Sequence, residues 1–211
     1  MTPRVAIFID YQNVYLSALK VFQPLETSRS RGHVDPVRLS ERICAGRRLG
    51  GALTDIRVYR GRPGPDRQPE AARANDRQAS AWARHPLVSV IRRQLRYPRD
   101  WPVGAAQEKG IDVALAVDFV RLACEGAYDV GILFSRDTDL VPALEAVRDL
   151  GSARAHVEVA TWVGTSRLRF HDSQLPWCHY LNADAYESCR DGMDYTASAA
   201  DVPEAAQASG R

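Results

Sequence analysis

Val5-Ala-Ile-Phe-Ile-Asp10-Tyr-Gln-Asn13 is an apolar run that stops abruptly at an aspartate. A second run, Gly131-Ile-Leu-Phe-Ser135-Arg-Asp137-Thr-Asp139, stops in the same way. Such runs are typical of strands buried on both faces, as in a parallel sheet covered by helices. Ligands of open parallel sheets bind in the crevice at the carboxyl ends of the strands. We therefore expect Asp10, Asp137 and Asp139 to converge in one crevice.

A third segment, Lys109-Gly-Ile-Asp112, places another aspartate where a helix begins. Clustered carboxylates repel and raise one another's pKa unless a cation neutralises them. Hard oxygen ligands of this kind suit Mg²⁺ or Mn²⁺. The acidic segments therefore indicate a metal-dependent enzyme of phosphoryl transfer.

The rest of the chain alternates strand and helix patterns, which is typical of an α/β fold with a parallel sheet and right-handed crossovers. The patterns predict strands over residues 4–9, 54–59, 88–95, 130–134 and 157–162, with a short one over 179–181. They predict helices over residues 14–21, 36–48, 69–84, 111–124 and 138–150. We expect one domain over residues 1–181. Residues 182–211 are acidic, lack apolar periodicity towards the end, and are expected to be a disordered or loosely held tail.

Composition indicates an ordinary water-soluble domain. The 211 residues are 45% hydrophobic, which is enough for a sizeable core. No apolar run approaches the length of a membrane span, and the run before Asp10 is too short for a signal peptide. The four cysteines show no CxxC spacing, so reduced thiols in a cytoplasm are favoured over a disulfide framework.

Positive charge is concentrated in one segment of the chain. Residues 57–99 contain eleven arginines and three acidic residues, a local net charge of +8 against +2 for the whole chain. These arginines offer contacts to phosphate, and four aromatic residues offer stacking to exposed bases of single-stranded RNA: Tyr59, Trp82, Tyr97 and Trp101. The alternative is that Tyr59 and Trp82 belong to the core and the arginines to a solvated face.

Three blocks of the sequence resemble the signature blocks of NYN domains, in the LabA-like branch of the PIN-like nuclease superfamily. They are Val5–Asn13, Glu108–Asp118 and Ser135–Pro142, and the resemblance extends over about residues 4 to 165 in the order of the family. It implies a Rossmann-like, PIN-like parallel sheet and a divalent-metal ribonuclease site. By motif, it implies that the catalytic and metal-binding acids are Asp10, Asp112, Asp137 and Asp139.

The resemblance also suggests residues that support the reaction. Asn13 and Ser135 would orient ligands or the scissile phosphate. Lys109 is a candidate phosphate contact or a solvated lysine, and Arg92 and Arg96 are candidate contacts from the arginine-rich segment. The third block departs from the usual form of the family, because Arg136, Thr138 and Leu140 replace the small and aromatic residues around the acids. Arg136 places a cation beside the acids, where it would tune metal affinity or touch RNA phosphate.

Each acid also has a structural interpretation. Asp10 or Asp112 would cap a helix, and Asp137 and Asp139 would be a turn residue and a first-turn acid favoured by the helix dipole. Asp118 lies six residues after Asp112, which turns it about 120° away around a helix, so we expect it to be a surface or supporting acid.

The sequence therefore predicts an endoribonuclease that hydrolyses phosphodiester bonds with aspartate-bound Mg²⁺ or Mn²⁺. The alternative is a non-catalytic module that uses the same fold to bind RNA or a protein. No Walker loop, GxGxxG motif or GxSxG elbow is present, which argues against nucleotide binding and serine hydrolysis. The expected partner is RNA, with no membrane. An antitoxin or other protein partner and a homo-oligomer are open alternatives for its assembly.

Overall fold

The computed structural model describes residues 1–23, 25, 32–151 and 155–196. In this part of the chain, the strands form one six-stranded parallel sheet in the order β3-β2-β1-β4-β5-β6. The strands are β1 (Arg4–Asp10), β2 (Ala52–Arg62), β3 (Val88–Gln94), β4 (Val130–Phe134), β5 (His156–Trp162) and β6 (Trp177–Leu181). The predicted Rossmann-like, PIN-like α/β fold is confirmed.

Within the described residues, six helices and one short 3-10 turn connect and cover these strands. The helices are α1 (Tyr11–Phe22), α2 (Pro36–Ala45), α3 (Pro69–Trp82), α4 (Ile111–Cys124), α5 (Val141–Asp149) and α6 (Ala183–Cys189), and the 3-10 turn is Thr138–Leu140. No helix in the described residues combines the length and the apolar character that crossing a membrane requires.

Both faces of the sheet are buried, as the apolar runs predict. Alternate residues of β1 point to opposite faces, so Ile7 and Ile9 join one core cluster while Phe8 joins the other. Helices α1, α2, α3 and α6 cover the first face, and α4 and α5 cover the second. The central strands are therefore continuous apolar runs, and their polar residues are confined to the strand ends.

The order of the strands determines where a crevice forms. From β1 the chain proceeds to β2 and β3 on one side, and then returns to place β4 on the other side of β1. β1 and β4 pair in parallel, with Ile9 opposite Phe134, so both strands end at the same edge. The helices after these two strands lie on opposite faces of the sheet, which opens a crevice between them.

Several element boundaries differ from the sequence prediction. Helix α1 begins directly after Asp10, and α2 ends at Ala45 rather than at residue 48. The helix expected over residues 138–150 is instead the 3-10 turn followed by α5. Pro142 explains this difference, because proline is tolerated in the first turn of a helix and not further inside it.

Helix α6 was not predicted, and it shifts the expected boundary of the tail at residue 182. Asn182 caps this helix by accepting a 3.0 Å hydrogen bond from the backbone N–H of Ala185. Tyr186 is fully buried and packs edge to face against Trp162 at 5.7 Å. The domain therefore extends beyond residue 181, and the part of the predicted tail over residues 197–211 lies outside the described residues.

A buried ion pair on the first face of the sheet joins the segment after α2 to the amino-terminal end of β5. The guanidinium of Arg47 donates to both carboxylate oxygens of Glu158, at 3.0 and 2.6 Å, and each side chain is only 3% exposed. His179 of β6 lies 2.7 Å from the same carboxylate. Burial alone would raise the pKa of Glu158, but the bonds from His179 and Arg47 outweigh it and hold the pKa at about 2.

Candidate active site

Asp10 occupies the end of β1 at the crevice and is the N-cap residue of α1. Its Oδ1 accepts a long, 3.5 Å contact from the backbone N–H of Asn13, which makes it a weak cap. Its Oδ2 accepts a 2.7 Å hydrogen bond from the hydroxyl of Ser135, the first residue after β4. Asp10 therefore links the ends of β1 and β4. Its bond to Ser135 is much shorter than its capping contact with Asn13.

The loop after β4 is held by a chain of short-range hydrogen bonds. The Ser135 hydroxyl accepts from the backbone N–H of Asp137 at 3.0 Å, and Asp137 Oδ1 accepts from that of Asp139 at 3.0 Å. Asn13 accepts a 3.2 Å bond from the backbone N–H of Arg136, so a second bond joins the two turns. Ser135 and Asn13 thus position the acidic loop, and their predicted role in orienting ligands or the scissile phosphate stays a prediction.

Glu108 joins this site although it was not selected from the sequence. It precedes α4 and accepts a hydrogen bond on Oε1 from the backbone N–H of Gly61 at the end of β2. Burial raises the pKa of Glu108, the bond from Gly61 and the charge of Arg60 lower it, and the charge of Asp112 raises it. Glu108 is therefore a partly buried carboxylate whose charge interacts with Asp112.

Electrostatic coupling connects these carboxyl groups. Burial raises the pKa of Asp10 to about 6, and the hydrogen bond from Ser135 opposes this change. The charges of Glu108 and Asp137 also contribute to this raised pKa. Acids from two other segments therefore act on Asp10 at the carboxyl edge of the sheet, and a cation bound there would relieve this repulsion.

The remaining predicted acids lie nearby in different settings. Asp112 is half-buried in the first turn of α4, where Gly110 with φ of 75° is the N-cap residue, so Asp112 is not the cap. Asp139 is exposed on the 3-10 turn. Asp118 lies six residues after Asp112 along α4 and accepts from the Arg57 guanidinium at 2.9 Å and from the hydroxyl of Tyr59 at 2.9 Å. These bonds engage Asp118 within the protein, and its expected role as a surface or supporting acid stays a prediction.

Several residues of the arginine-rich segment are engaged within the protein. Arg62 and Arg92 both bind Asp76, at 2.7 and 2.5 Å, and Arg57 binds Asp55 and Asp118. Their expected role as free phosphate contacts therefore needs correction, because tertiary partners occupy their guanidinium groups.

The stacking prediction also needs correction for two aromatic residues. Tyr59 is 1% exposed and Trp82 is 4% exposed, so both belong to the core, as the structural alternative held. Tyr97 and Trp101 are half-buried and pack edge to face against each other at 4.8 Å.

A smaller group of cations faces solvent beside the acidic residues. Arg93 follows Ile91 in alternation and therefore lies on the α4 face of β3, where its Cδ is 3.9 Å from the Cβ position of Gly110. The backbone of Arg96 pairs with that of Gln107 in an isolated antiparallel bridge. This pairing brings Arg96 near Glu108, the residue after Gln107. Arg93, Arg96, Arg99 and Lys109 are exposed and form no ion pair with the described residues.

No three His, Cys, Asp or Glu side chains in the described ranges are grouped closely enough to hold a metal ion by themselves. The donor chemistry nevertheless fits a hydrated cation, because Mg²⁺ keeps several water ligands and binds one or two carboxylates together with substrate phosphates. Asp10 Oδ1 has only the long contact to Asn13, and the charge of Asp137 acts on the same carboxyl. These two carboxylates are the ones that fit such an ion best.

Comparison with known proteins supports the family. Residues 4–171 match the family model described as "NYN domain". The chain belongs to the NYN domain family. NYN domains are part of the PIN-like nuclease superfamily, whose members are generally nucleases. The predicted LabA-like branch stays a prediction.

One solved structure resembles this NYN domain over nearly its whole length. It is a protein of unknown function, VPA0982, from Vibrio parahaemolyticus RIMD 2210633, with a TM-score of 0.56. The similarity covers 90% of this chain and 97% of that chain at 17% sequence identity, which establishes the fold alone. No curated protein matches the NYN domain described here.

Proposed function

We propose that this NYN domain is a metal-dependent endoribonuclease that hydrolyses phosphodiester bonds of RNA. The observation that carries the proposal is the Asp10 carboxyl at the switch point of the sheet, bonded to Ser135 and coupled to Glu108 and Asp137. Parallel sheets bind their ligands at such a point. The choice of RNA over DNA comes from the family.

The protein residues have separate roles in this proposal. Ser135 and Asn13 fix the Asp10 and Asp137 carboxylates relative to each other through the two bonds that join their turns. Asp10 and Asp137 would hold a divalent ion, whose charge would keep the Asp10 carboxyl ionised although burial raises its pKa. A bound Mg²⁺ or Mn²⁺ would supply charge neutralisation and a water of lowered pKa. No residue needs to act as a covalent nucleophile.

The substrate would lie along the exposed cations beside the acids. Arg93, Arg96 and Lys109 stand around the loop that carries Glu108, so a phosphate backbone held there would pass the crevice. We place the activity in the cytoplasm, where the four free cysteines would remain reduced.

The alternative function is a non-catalytic module that binds RNA or protein. It is favoured by one observation: the described carboxylates do not form a ready-made group of three metal ligands. It predicts RNA binding without cleavage under every metal condition.

Metal-dependent cleavage of a labelled RNA pool separates the two functions. We expect the wild type to cut RNA with Mn²⁺ or Mg²⁺ and to stop with EDTA, and we expect Asp137→Asn to be inactive. Asp149→Asn is the matched control, because Asp149 is exposed at the C-terminal end of α5, the end opposite the acidic loop. Cleavage that is equal in Asp137→Asn and the control would refute the nuclease proposal, and so would the absence of any cleavage by the wild type.

A further inference from the structure

Arg136 stands inside the acidic loop, directly between Ser135 and Asp137. Its backbone N–H donates to the side chain of Asn13 at 3.2 Å, so its main chain is fixed to α1, the helix that follows Asp10. The position of Arg136 is therefore set by the same two turns that hold the acids. These bonds leave the role of its side chain open.

The side chain of Arg136 reaches from the end of β4 towards the loop after β5. Its Nη2 makes a long, 3.4 Å contact with the hydroxyl of Ser166, and this contact is exposed to solvent. Its Nε is buried and has no hydrogen-bond partner among the described residues. The stem of the side chain is therefore packed into the protein, while the end of the guanidinium group is presented to solvent on the β5 side of Asp10.

The loop after β5 is held in place by its own hydrogen bonds. The hydroxyl of Thr165 donates to the carbonyl of Trp162 at 2.8 Å and lies 2.5 Å from the hydroxyl of Thr161. Ser166 follows this turn directly and is exposed. Its hydroxyl is therefore a second polar group on the surface beside Arg136.

The positive charge of Arg136 is not neutralised within the described part of the chain. Its guanidinium forms no ion pair there, although Asp137 is its neighbour in sequence. Arg92, by contrast, is bound to Asp76. A cation beside carboxylates that hold a metal opposes metal binding, and a phosphate of the substrate would remove that opposition. The charge of Arg136 is therefore available to an anionic ligand.

The strand order places cations on both sides of Asp10. Arg93 belongs to β3, two strands from β1 in one direction, and Arg136 follows β4, the neighbour of β1 in the other direction. Neighbouring strands lie about 4.8 Å apart, so the three steps from β3 to β4 span roughly 14 Å. One phosphate cannot touch both cations, but a strand of several nucleotides can.

We propose that Arg136 binds a backbone phosphate of RNA on the β5 side of the acids, so that the strand crosses the crevice from Arg93 to Arg136. A guanidinium donates in a fixed fork that matches two phosphate oxygens, and Ser166 adds a hydroxyl donor beside it. The bond to be cut then lies within the strand, between two held phosphates. This inference rests on the proposed function and adds to it the path of the substrate.

Binding of RNA without metal tests Arg136 independently of cleavage. The affinity of a labelled oligouridine would be measured in EDTA at several salt concentrations. We expect Arg136→Gln to weaken binding by about tenfold, as loss of a charge-assisted contact allows, and to flatten the slope of log affinity against log salt by about 0.7. Arg136→Lys should keep the slope, because the charge remains, and only part of the affinity, because the fork is lost.

Arg169→Gln is the matched control, because it removes the same charge from an exposed residue away from the crevice. The neighbouring Phe170 packs against Arg148 at 4.4 Å, near the C-terminal end of α5, which is opposite the acidic loop. This control should bind RNA as the wild type does. If Arg136→Gln binds with the same affinity and salt slope as the control, Arg136 does not contact RNA and the proposal is overturned.

A second variant keeps the arginine, so that the site is tested even if Arg136→Gln does not fold. Ser166→Asp adds a carboxylate beside the guanidinium on an exposed loop, where it would pair with Arg136 and compete with phosphate. We expect it to weaken RNA binding about as much as Arg136→Gln does. Ser80→Asp adds the same charge near the exposed C-terminal end of α3 and is its control. Equal RNA binding by the two aspartate variants would also overturn the proposal.

Cleavage assays separate this inference from the nuclease proposal. With Mn²⁺, the wild type should cut a circular single-stranded RNA, because the strand extends past the acids on both sides. Arg136→Gln should raise KM more than it lowers kcat, as loss of a binding contact does. Cleavage of linear RNA from its ends alone would leave metal-dependent hydrolysis and overturn the crossing path. A wild type that cuts no RNA would overturn the nuclease, and the binding assay would still decide the role of Arg136.

Discussion

The hydroxyl of Ser135 donates a 2.7 Å hydrogen bond to the Asp10 carboxylate, and this bond joins β1 to β4 where the strand order of the sheet reverses. The same hydroxyl accepts from the backbone of Asp137. One fully buried side chain therefore sets the separation of two acids that the chain places 127 residues apart.

We expect Ser135→Ala to lower RNA cleavage by about 10–100-fold, as is typical when a residue that orients metal-binding groups is lost. Asp10→Asn should abolish cleavage while keeping the fold, because it removes charge and not volume. Cleavage rates and circular dichroism would be measured for both. Ser89→Ala, at an exposed position of β3, is the control. Wild-type rates in Asp10→Asn would rule out a catalytic role for that carboxyl.

Stability should fall as the pH rises through the titration of Asp10. Its pKa in the folded chain is about 6 against an ordinary value of 3.8, so between these values the folded state binds more protons than the unfolded state. The free energy of unfolding should therefore decrease from about pH 4 to about pH 6, by up to about 3 kcal/mol from this group.

Urea unfolding at several pH values would measure this decrease. Asp10→Asn should show a smaller decrease and should be more stable than the wild type at neutral pH. A pH dependence that is identical in the variant and the wild type would contradict the raised pKa.

Divalent metal should raise the melting temperature, because an ion that binds only the folded state stabilises it by mass action. We expect millimolar Mn²⁺ or Mg²⁺ to produce this increase in the wild type. Asp137→Asn should melt higher than the wild type without metal and respond less to it. Asp184→Asn, on the exposed side of α6, should respond as the wild type does. Melting temperatures that metal leaves unchanged would argue against a shared acidic site.

The exposed arginines should dominate the salt dependence of RNA binding. Replacing both Arg93 and Arg96 with Gln should flatten the slope of log affinity against log salt by up to about 1.4 units, at about 0.7 per contact with single-stranded RNA. Arg92→Gln is the matched control, because Arg92 already binds Asp76. Binding would be measured with Ca²⁺ or without metal to avoid cleavage. An equal change of slope in the control would show that position within the sheet does not decide which arginines contact RNA.

Breaking the buried ion pair should cost more than any surface change. Glu158→Gln leaves the Arg47 guanidinium buried without its counter-charge, which typically costs about 3–5 kcal/mol. The exposed pair of Arg4 and Asp129 offers the comparison, and Asp129→Asn should have a much smaller effect. Chemical denaturation of the two variants would show whether burial makes the difference.

Local patterns were sufficient to predict the sheet and the ends of its central strands. The apolar run up to Asp10 and the run up to Ser135 are buried strands, and α4 begins and ends where Gly110 and Gly126 predict. The seven-residue helix α6 was missed because its small and acidic residues lack apolar periodicity, and Tyr186 becomes a core residue only through its packing on distant elements.

The site was harder to predict wherever a residue depends on distant partners. Glu108 stands in a loop without periodicity, and its bond to Gly61 spans 47 positions of the chain. The pairing of Arg57 with Asp118 spans 61 positions, and no sequence pattern indicates it. All four predicted acids come from the motif blocks, and only the fold distinguishes the half-buried Asp10 from the exposed Asp139.

The shared partner of Arg62 and Arg92 has a consequence for how this family would diverge. Both arginines hold Asp76, so α3 is tied to β2 and β3 through one carboxylate. Loss of that carboxylate would leave two like charges facing each other, and natural selection would then favour replacement of an arginine as well. Positions 62, 76 and 92 should therefore change together among homologues. The residue at position 93, beside Arg92 in sequence, should vary independently of these three, because we propose that it contacts RNA.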